Sequence, residues 1–197
     1  MSDNQKIDKT RRNLVVATSV VGGAASLGAA IPFVASMLPS ERTKAAGAPV
    51  EVDISTLAPG ELKVFEWRGK PVWVIRRTRE MVESLKATAS RLTDPGSSDS
   101  QQPEYAKNEY RSLKPELMVM EGVCTHLGCS PQMKTAEAKA EMGADWAGGF
   151  YCACHGSKFD LAGRVFRGAP APTNLTVPPH AFLSDSTLLI GEDKKGA

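Results

Sequence analysis

Cys124-Thr-His126-Leu-Gly-Cys129 and Cys152-Ala-Cys154-His155-Gly-Ser157 decide how this chain is read. The two segments hold all 4 cysteines and two of the 3 histidines. Each offers a Cys–His pair, Cys124 with His126 and Cys152 with His155, and each keeps a spare cysteine, Cys129 and Cys154. Two Cys and two His can bind a metal centre, and the leftover sulfurs can bridge the loops that carry it. Two disulfides alone would leave both histidines without a task. Structural zinc is a second possibility, but zinc sites usually pair Cys with Cys and His with His, whereas each segment here supplies one of each. The third is a two-iron, two-sulfide cluster with one iron on two cysteines and the other on two histidines.

Over about a dozen positions both segments resemble, residue for residue, the Rieske iron–sulfur proteins of cytochrome bc complexes, the ubiquinol–cytochrome c reductases. The resemblance implies a [2Fe-2S] cluster held by Cys124 and Cys152 on one iron and His126 and His155 on the other. It implies a disulfide between Cys129 and Cys154. Rieske domains of aromatic-ring dioxygenases and their ferredoxins lack those two cysteines, so the quinol-oxidising branch is indicated. Two ferric ions and two sulfides sum to roughly +2, so two thiolates and two imidazoles give about zero, and an electron is easily added. Each outward imidazole nitrogen can carry a proton, so electron and proton should move together.

Further residues take roles from the same resemblance. Ser157 stands where the family has a hydroxyl donor to the cluster. Phe159 stands where many members carry a tyrosine, so that donor is missing here and the potential is expected to be lower. Gly168-Ala-Pro170-Ala-Pro172 resembles the proline-rich loop that covers the cluster, and prolines stiffen it. Leu127 is expected at an exposed tip that docks on cytochrome b, and His155 at the quinol contact. Gly128 and Gly156 suit turns around the cluster. His180, outside both motifs, reads as an ordinary surface or strand-end residue.

The rest of the chain is consistent with an exported, anchored head. Of its 197 residues 42% are hydrophobic, enough for one modest core, and a net charge of +2 gives no footing for nucleic acid. No charge occurs from Asn13 to Ser40, and residues 14–38 are long enough to cross a bilayer, with Pro32 expected to kink the span. Lys6, Lys9, Arg11 and Arg12 precede it, which places the N-terminus in the cytoplasm and the head in the periplasm. Thr10-Arg11-Arg12-Asn13-Leu14-Val15 is similar to a twin-arginine export signal. Ala46-Gly47-Ala48 has the small residues of a cleavage site, but Pro49 follows directly and the apolar run is long, so an uncleaved anchor is expected.

The domain plan is a tail at 1–13, an anchor at 14–38, a flexible hinge linker at 39–49 and the soluble domain at 50–197. The cluster-binding subdomain lies at about 120–175. The 11 linker residues would reach about 36–40 Å if extended. Alternation marks strands at 50–54, 61–67, 71–76, 117–121, 150–152, 157–160, 165–167 and 188–190, with a hairpin turn at Arg68-Gly69-Lys70. Helical spacing of Met81, Leu85, Ala89 and Leu92 marks a helix over 79–92, and the Ala/Glu/Lys-rich middle of 131–149 suits another short one. The expected fold is mainly β: an antiparallel Rieske-type domain with a cluster-binding subdomain, one short helix and a single N-terminal transmembrane helix. Implied partners are cytochrome b, cytochrome c1 and ubiquinol, in a dimeric complex of a bacterial inner membrane. The alternatives are the small Rieske subunit of an arsenite oxidase and an anchored zinc-binding domain without redox work.

Overall fold

Asp8 starts the first helix. Its carboxylate accepts the N–H groups of Thr10 and Arg11 at 3.0 and 3.3 Å, capping α1 (Lys9–Ser36). The computed structural model describes residues 8–99 and 102–193. Because of that cap the helix takes in the twin arginines rather than beginning after them, and it ends at Ser36, short of Leu38. It has 28 residues, and an 18-residue stretch within it has a mean hydropathy of 1.9, long and apolar enough to cross a membrane. Pro32 lies inside it. The hydroxyls of Thr18 and Ser36 turn back onto the carbonyls of Leu14, Val15 and Phe33, so neither needs water. Residues 1–7 of the expected tail lie outside the described residues.

The linker differs from expectation. Glu41–Ala46 forms a helix, α2, closed by a Lys44–Glu41 ion pair at 2.7 Å. Acid first and base last at i,i+3 spacing suits a helix and its dipole better than an extended tether.

Among the described residues, the unit that begins at Ala46 is built on three three-stranded antiparallel sheets. The middle one orders β2 (Leu62–Trp67), β3 (Lys70–Arg76) and β4 (Leu117–Glu121). Its first hairpin turns on Arg68 (φ 53°) and Gly69 (φ 69°), the paired left-handed residues that a two-residue turn needs. The alternation of β3 and β4 divides the interior. Val72, Val74, Leu117 and Val119 face a core with Val52, Trp67, Leu188 and Ile190. Those partners come largely from the sheet β1 (Val50–Asp53), β9 (Thr187–Ile190) and β8 (His180–Phe182). Trp73, Ile75, Met118 and Met120 face the other core, with Phe150, Phe159, Val165, Leu175 and the thiol-bearing Cys124 and Cys152. That second core lies under the third sheet: β5 (Gln132–Lys134), β6 (Gly149–Cys152) and β7 (Ser157–Phe159). Trp73 stacks on Phe150 with centroids 5.0 Å apart, worth about 0.5–1.5 kcal/mol beyond the area buried.

Thr78 caps α3 (Arg79–Thr88) by accepting from Met81 N–H, and Leu85 sets the helix on Leu161 and Ala162. The expected helix over 79–92 tightens into a 3-10 turn at Ala89–Arg91. A one-turn helix, α4 (Lys139–Met142), sits in the 131–149 segment, so the chain has more than one short helix. Two strands were not expected, β5 and β8. The expected strand at 165–167 is absent: Val165 and Phe166 make only isolated bridges, to Phe159 and Leu92. The Val165 N–H goes instead to Asn174 Oδ1, so the pairing does not extend. His180 is buried at the start of β8, its N–H donating to Tyr105 Oη at 2.8 Å, so it is a strand-end residue but not a surface one.

Candidate metal centre

Two loops of like construction carry the Cys/His set. The first leaves β4 and the second joins β6 to β7. In each, the carbonyl of the leading cysteine accepts an N–H from a glycine four residues on: Gly128 to Cys124 at 3.0 Å, Gly156 to Cys152 at 2.9 Å. Both glycines are left-handed, with φ of 83° and 81°, and a Cβ at either would meet nothing within 4 Å. Backbone conformation, not crowding, is what calls for glycine there. Gly122 is different: a Cβ would collide with the indole of Trp73, so the lead-in to Cys124 lies directly on the second core. In the second loop, Cys152 and Ser157 are paired across β6 and β7.

The cysteines divide as the resemblance implied. Cys129 and Cys154 form a disulfide with Cα atoms 6.7 Å apart, and Cys124 and Cys152 remain buried free thiols. The sulfurs of Cys129, Cys152 and Cys154 lie within 4.8 Å of one another. Two of those are spent in the disulfide and cannot serve as thiolates, so the grouping shows the brace lying against a ligand candidate. His126 and His155 meet edge to face, ring centroids 4.6 Å apart. The two rings differ in surroundings. Among the described residues His126 Nδ1 is buried with no hydrogen-bond partner, whereas His155 is exposed.

A buried ring nitrogen without a partner is costly, and a metal ion would satisfy it. Burial, with Cys124 adjacent, pushes the Cys152 thiol up, so a thiolate there needs a cation beside it. Two thiols and two imidazoles so arranged fit a cluster with Cys on one iron and His on the other.

The proline-rich loop is fastened to both cluster loops. Ala171 N–H donates to Ser157 Oγ at 3.0 Å, and Thr125 Oγ1 donates to the carbonyl of Thr173 at 2.7 Å. Ser157 thus accepts one bond and keeps its own proton to give. Pro170 and Pro172 face outward, as does Gly168. Phe159 is fully buried, opposite Phe150 on the neighbouring strand. Leu127, 71% exposed, stands at the tip of the first loop. A cavity of about 740 Å³ lies elsewhere, between α3 and residues 135–148, and no Cys or His lines it. At the Cys/His set the two free thiols are buried, while His155 and Leu127 lie at the surface.

Sequence reasoning missed Thr125, and it missed four charged residues buried behind the loops: Arg77, Arg111, Asp160 and Arg164. The Asp160–Arg164 pair at i,i+4 around Gly163 was the one available signal.

A family model described as the Rieske [2Fe-2S] domain matches residues 49–179, and one described as a ubiquinol–cytochrome c reductase Fe-S subunit TAT signal matches residues 1–40. The ubiquinol–cytochrome c reductase iron-sulfur subunit of Allochromatium vinosum is 56% identical over 98% of this chain and 94% of its own length. That of Blastochloris viridis is 40% identical over 97% and 98%. That of Bradyrhizobium diazoefficiens is 43% identical over 92% and 94%.

Proposed function

The chain belongs to the iron–sulfur subunits of ubiquinol–cytochrome c reductase, with a Rieske [2Fe-2S] domain over residues 49–179, and on that premise we propose that it carries single electrons from quinol bound at cytochrome b to cytochrome c1. Cys124 and Cys152 would hold one iron as thiolates, and His126 and His155 the other through one ring nitrogen each. When bound, the cluster supplies a one-electron acceptor whose near-neutral oxidised charge keeps its potential high.

The remaining work falls to the chain. His155, exposed at the tip, hydrogen-bonds the quinol hydroxyl and takes its proton as the electron leaves, then releases it outside. Leu127 enters an apolar contact on cytochrome b. The Cys129–Cys154 bridge keeps the two loops in register, and the proline-rich loop excludes water from the third side. The observation that carries this reading is the contrast between the histidines: a buried, unpartnered Nδ1 on His126 beside the free thiols, and an open ring on His155. We place α1 across a bacterial inner membrane once, its Lys9, Arg11 and Arg12 end in the cytoplasm and the head in the periplasm. A disulfide-bearing head suits that oxidising side. The assembly is a dimer with cytochrome b and cytochrome c1. Family membership removes the grounds for the arsenite oxidase reading.

Purification in mild detergent followed by electron paramagnetic resonance of the reduced protein tests this. One mixed-ligand cluster signal per chain is expected, with haem b and haem c1 subunits co-purifying, and the midpoint potential should fall as pH rises. A silent protein containing zinc would sink the redox reading. A potential flat from mildly acidic to strongly alkaline pH would sink the coupled proton.

A further inference from the structure

Three guanidinium groups lie in the dry interior behind the cluster loops. Arg77, Arg111 and Arg164 are 2%, 0% and 1% exposed, and the buried carboxylate among them is Asp160. Glu121, also buried, is engaged elsewhere with Lys70 at 2.7 Å. The other acids acting on the trio are Asp94, half-buried near Arg111, and Glu116, exposed near Arg77. Burial brings Arg77 and Arg111 down to about 10, which leaves both charged at neutral pH. The interior therefore holds an excess of positive charge.

The three guanidiniums gather around the turn after β7 and the segments packed on it. Arg77 Nη1 donates to the carbonyls of Tyr110 and Leu161, and its Nη2 to Ser112 Oγ. Arg111 Nη1 donates to the carbonyls of Ala162 and Gly163, and its Nη2 to Leu175 O and Gln102 Oε1. Arg164 pairs with Asp160 and donates to the carbonyls of Pro95 and Leu85. Asp160 directly follows β7, whose first residue, Ser157, is paired with Cys152. Three residues of strand span about 10 Å. The intervening matter is Phe150, Phe159, Val165 and Leu175, apolar and dry, so the field is poorly screened.

Clamping carbonyls needs donors, and neutral side chains could provide them. Three full charges, set against buried Asp160 and half-buried Asp94, exceed that need, and their burial is expensive. We propose that Arg77, Arg111 and Arg164 tune the metal centre through this field: the buried positive excess stabilises the extra electron and raises the midpoint potential. The inference rests on reading the site as a [2Fe-2S] centre. The arginines touch neither cluster nor quinol; one electron enters the centre and no bond in the trio changes.

The test is a redox titration of the detergent-purified complex, read by electron paramagnetic resonance, for Arg77→Gln, Arg77→Lys and Asp160→Asn. For charges about 12 Å apart, Coulomb's law at an effective dielectric constant of about 20 gives about a tenfold effect. Arg77→Gln should shift the reduced-to-oxidised ratio about tenfold toward the oxidised form at fixed potential, which is about 59 mV lower. Arg77→Lys should restore it, and Asp160→Asn should move it the opposite way. A merely structural role would move Gln and Asn variants in the same direction, or Lys as far as Gln; either result overturns the proposal, as does an unmoved midpoint with an intact spectrum. If Asp160→Asn does not fold, the Gln and Lys pair still decides. Absence of the cluster signal from the unmutated protein would instead refute the reading of the site.

Discussion

Phe159 is where a single atom should be felt. Its ring is fully buried, two residues beyond Ser157 along β7 and opposite Phe150. An added hydroxyl must either find an acceptor or sit unsatisfied at a cost of about 1–3 kcal/mol. If a ligand sulfur is within reach, the new bond favours the more negative reduced state, and Phe159→Tyr should raise the midpoint potential without loss of thermal stability. A variant that melts earlier and titrates at the same potential would mean that the hydroxyl finds no such acceptor. At this scale the ligand candidates and the brace were legible, because Cys and His are scarce and their spacing is local. Arg111 was not. A guanidinium is buried only when carbonyls from Ala162, Gly163 and Leu175 converge on it, and that convergence belongs to the tertiary fold.

The two cluster loops are short elements whose mutual register depends on what ties them. Each has its internal Cys–Gly bond, but the bridge between them is the Cys129–Cys154 disulfide, closing a sequence separation of 25 residues. Chain-entropy arithmetic for a loop of that length gives about 3–4 kcal/mol. Replacing both cysteines by alanine should lower the melting temperature and let the loops part, so that the cluster signal is lost on mild heating before the β domain unfolds. Simultaneous loss of both transitions at the unmutated temperature would show that the proline-rich loop, through Thr125 and Ala171, holds the register by itself. Elements with strong local signals were readable: the β2–β3 hairpin turns on Arg68-Gly69, and β3 and β4 are continuous apolar runs between two cores. β5 and β8 were not, since each has three residues and no alternation long enough to count. The false strand at 165–167 had the right composition, but the Val165 N–H is taken by Asn174 and only isolated bridges to Phe159 and Leu92 remain.

Over the whole molecule, the chain divides into Met1–Ala45 and Ala46–Ala197, each compact by itself. The proposed shuttle between cytochrome b and cytochrome c1 must draw its reach from the segment where they join. Trp67 fixes where the tether leaves the head, because its indole N–H donates to the carbonyl of Ala48 at 3.1 Å. In the proposed shuttle, the residues before Ala48 would supply the movement. There α2 stores length: its 6 residues span about 9 Å as a helix and about 20 Å when extended. A six-residue helix held by an exposed ion pair and a Ser40 cap is marginal in water, so unwinding it costs little. Replacing Thr43 and Lys44 by proline breaks the helix and stiffens the tether, and deleting residues 42–45 shortens it. Both changes should leave the reduced cluster spectrum intact, slow the reduction of cytochrome c1 at least several-fold, and spare the initial one-electron reduction by quinol. Stopped-flow measurement of the two steps separates them. Normal onward transfer in the shortened chain would rule out a swinging head, and the electron would then have to cross from a fixed position.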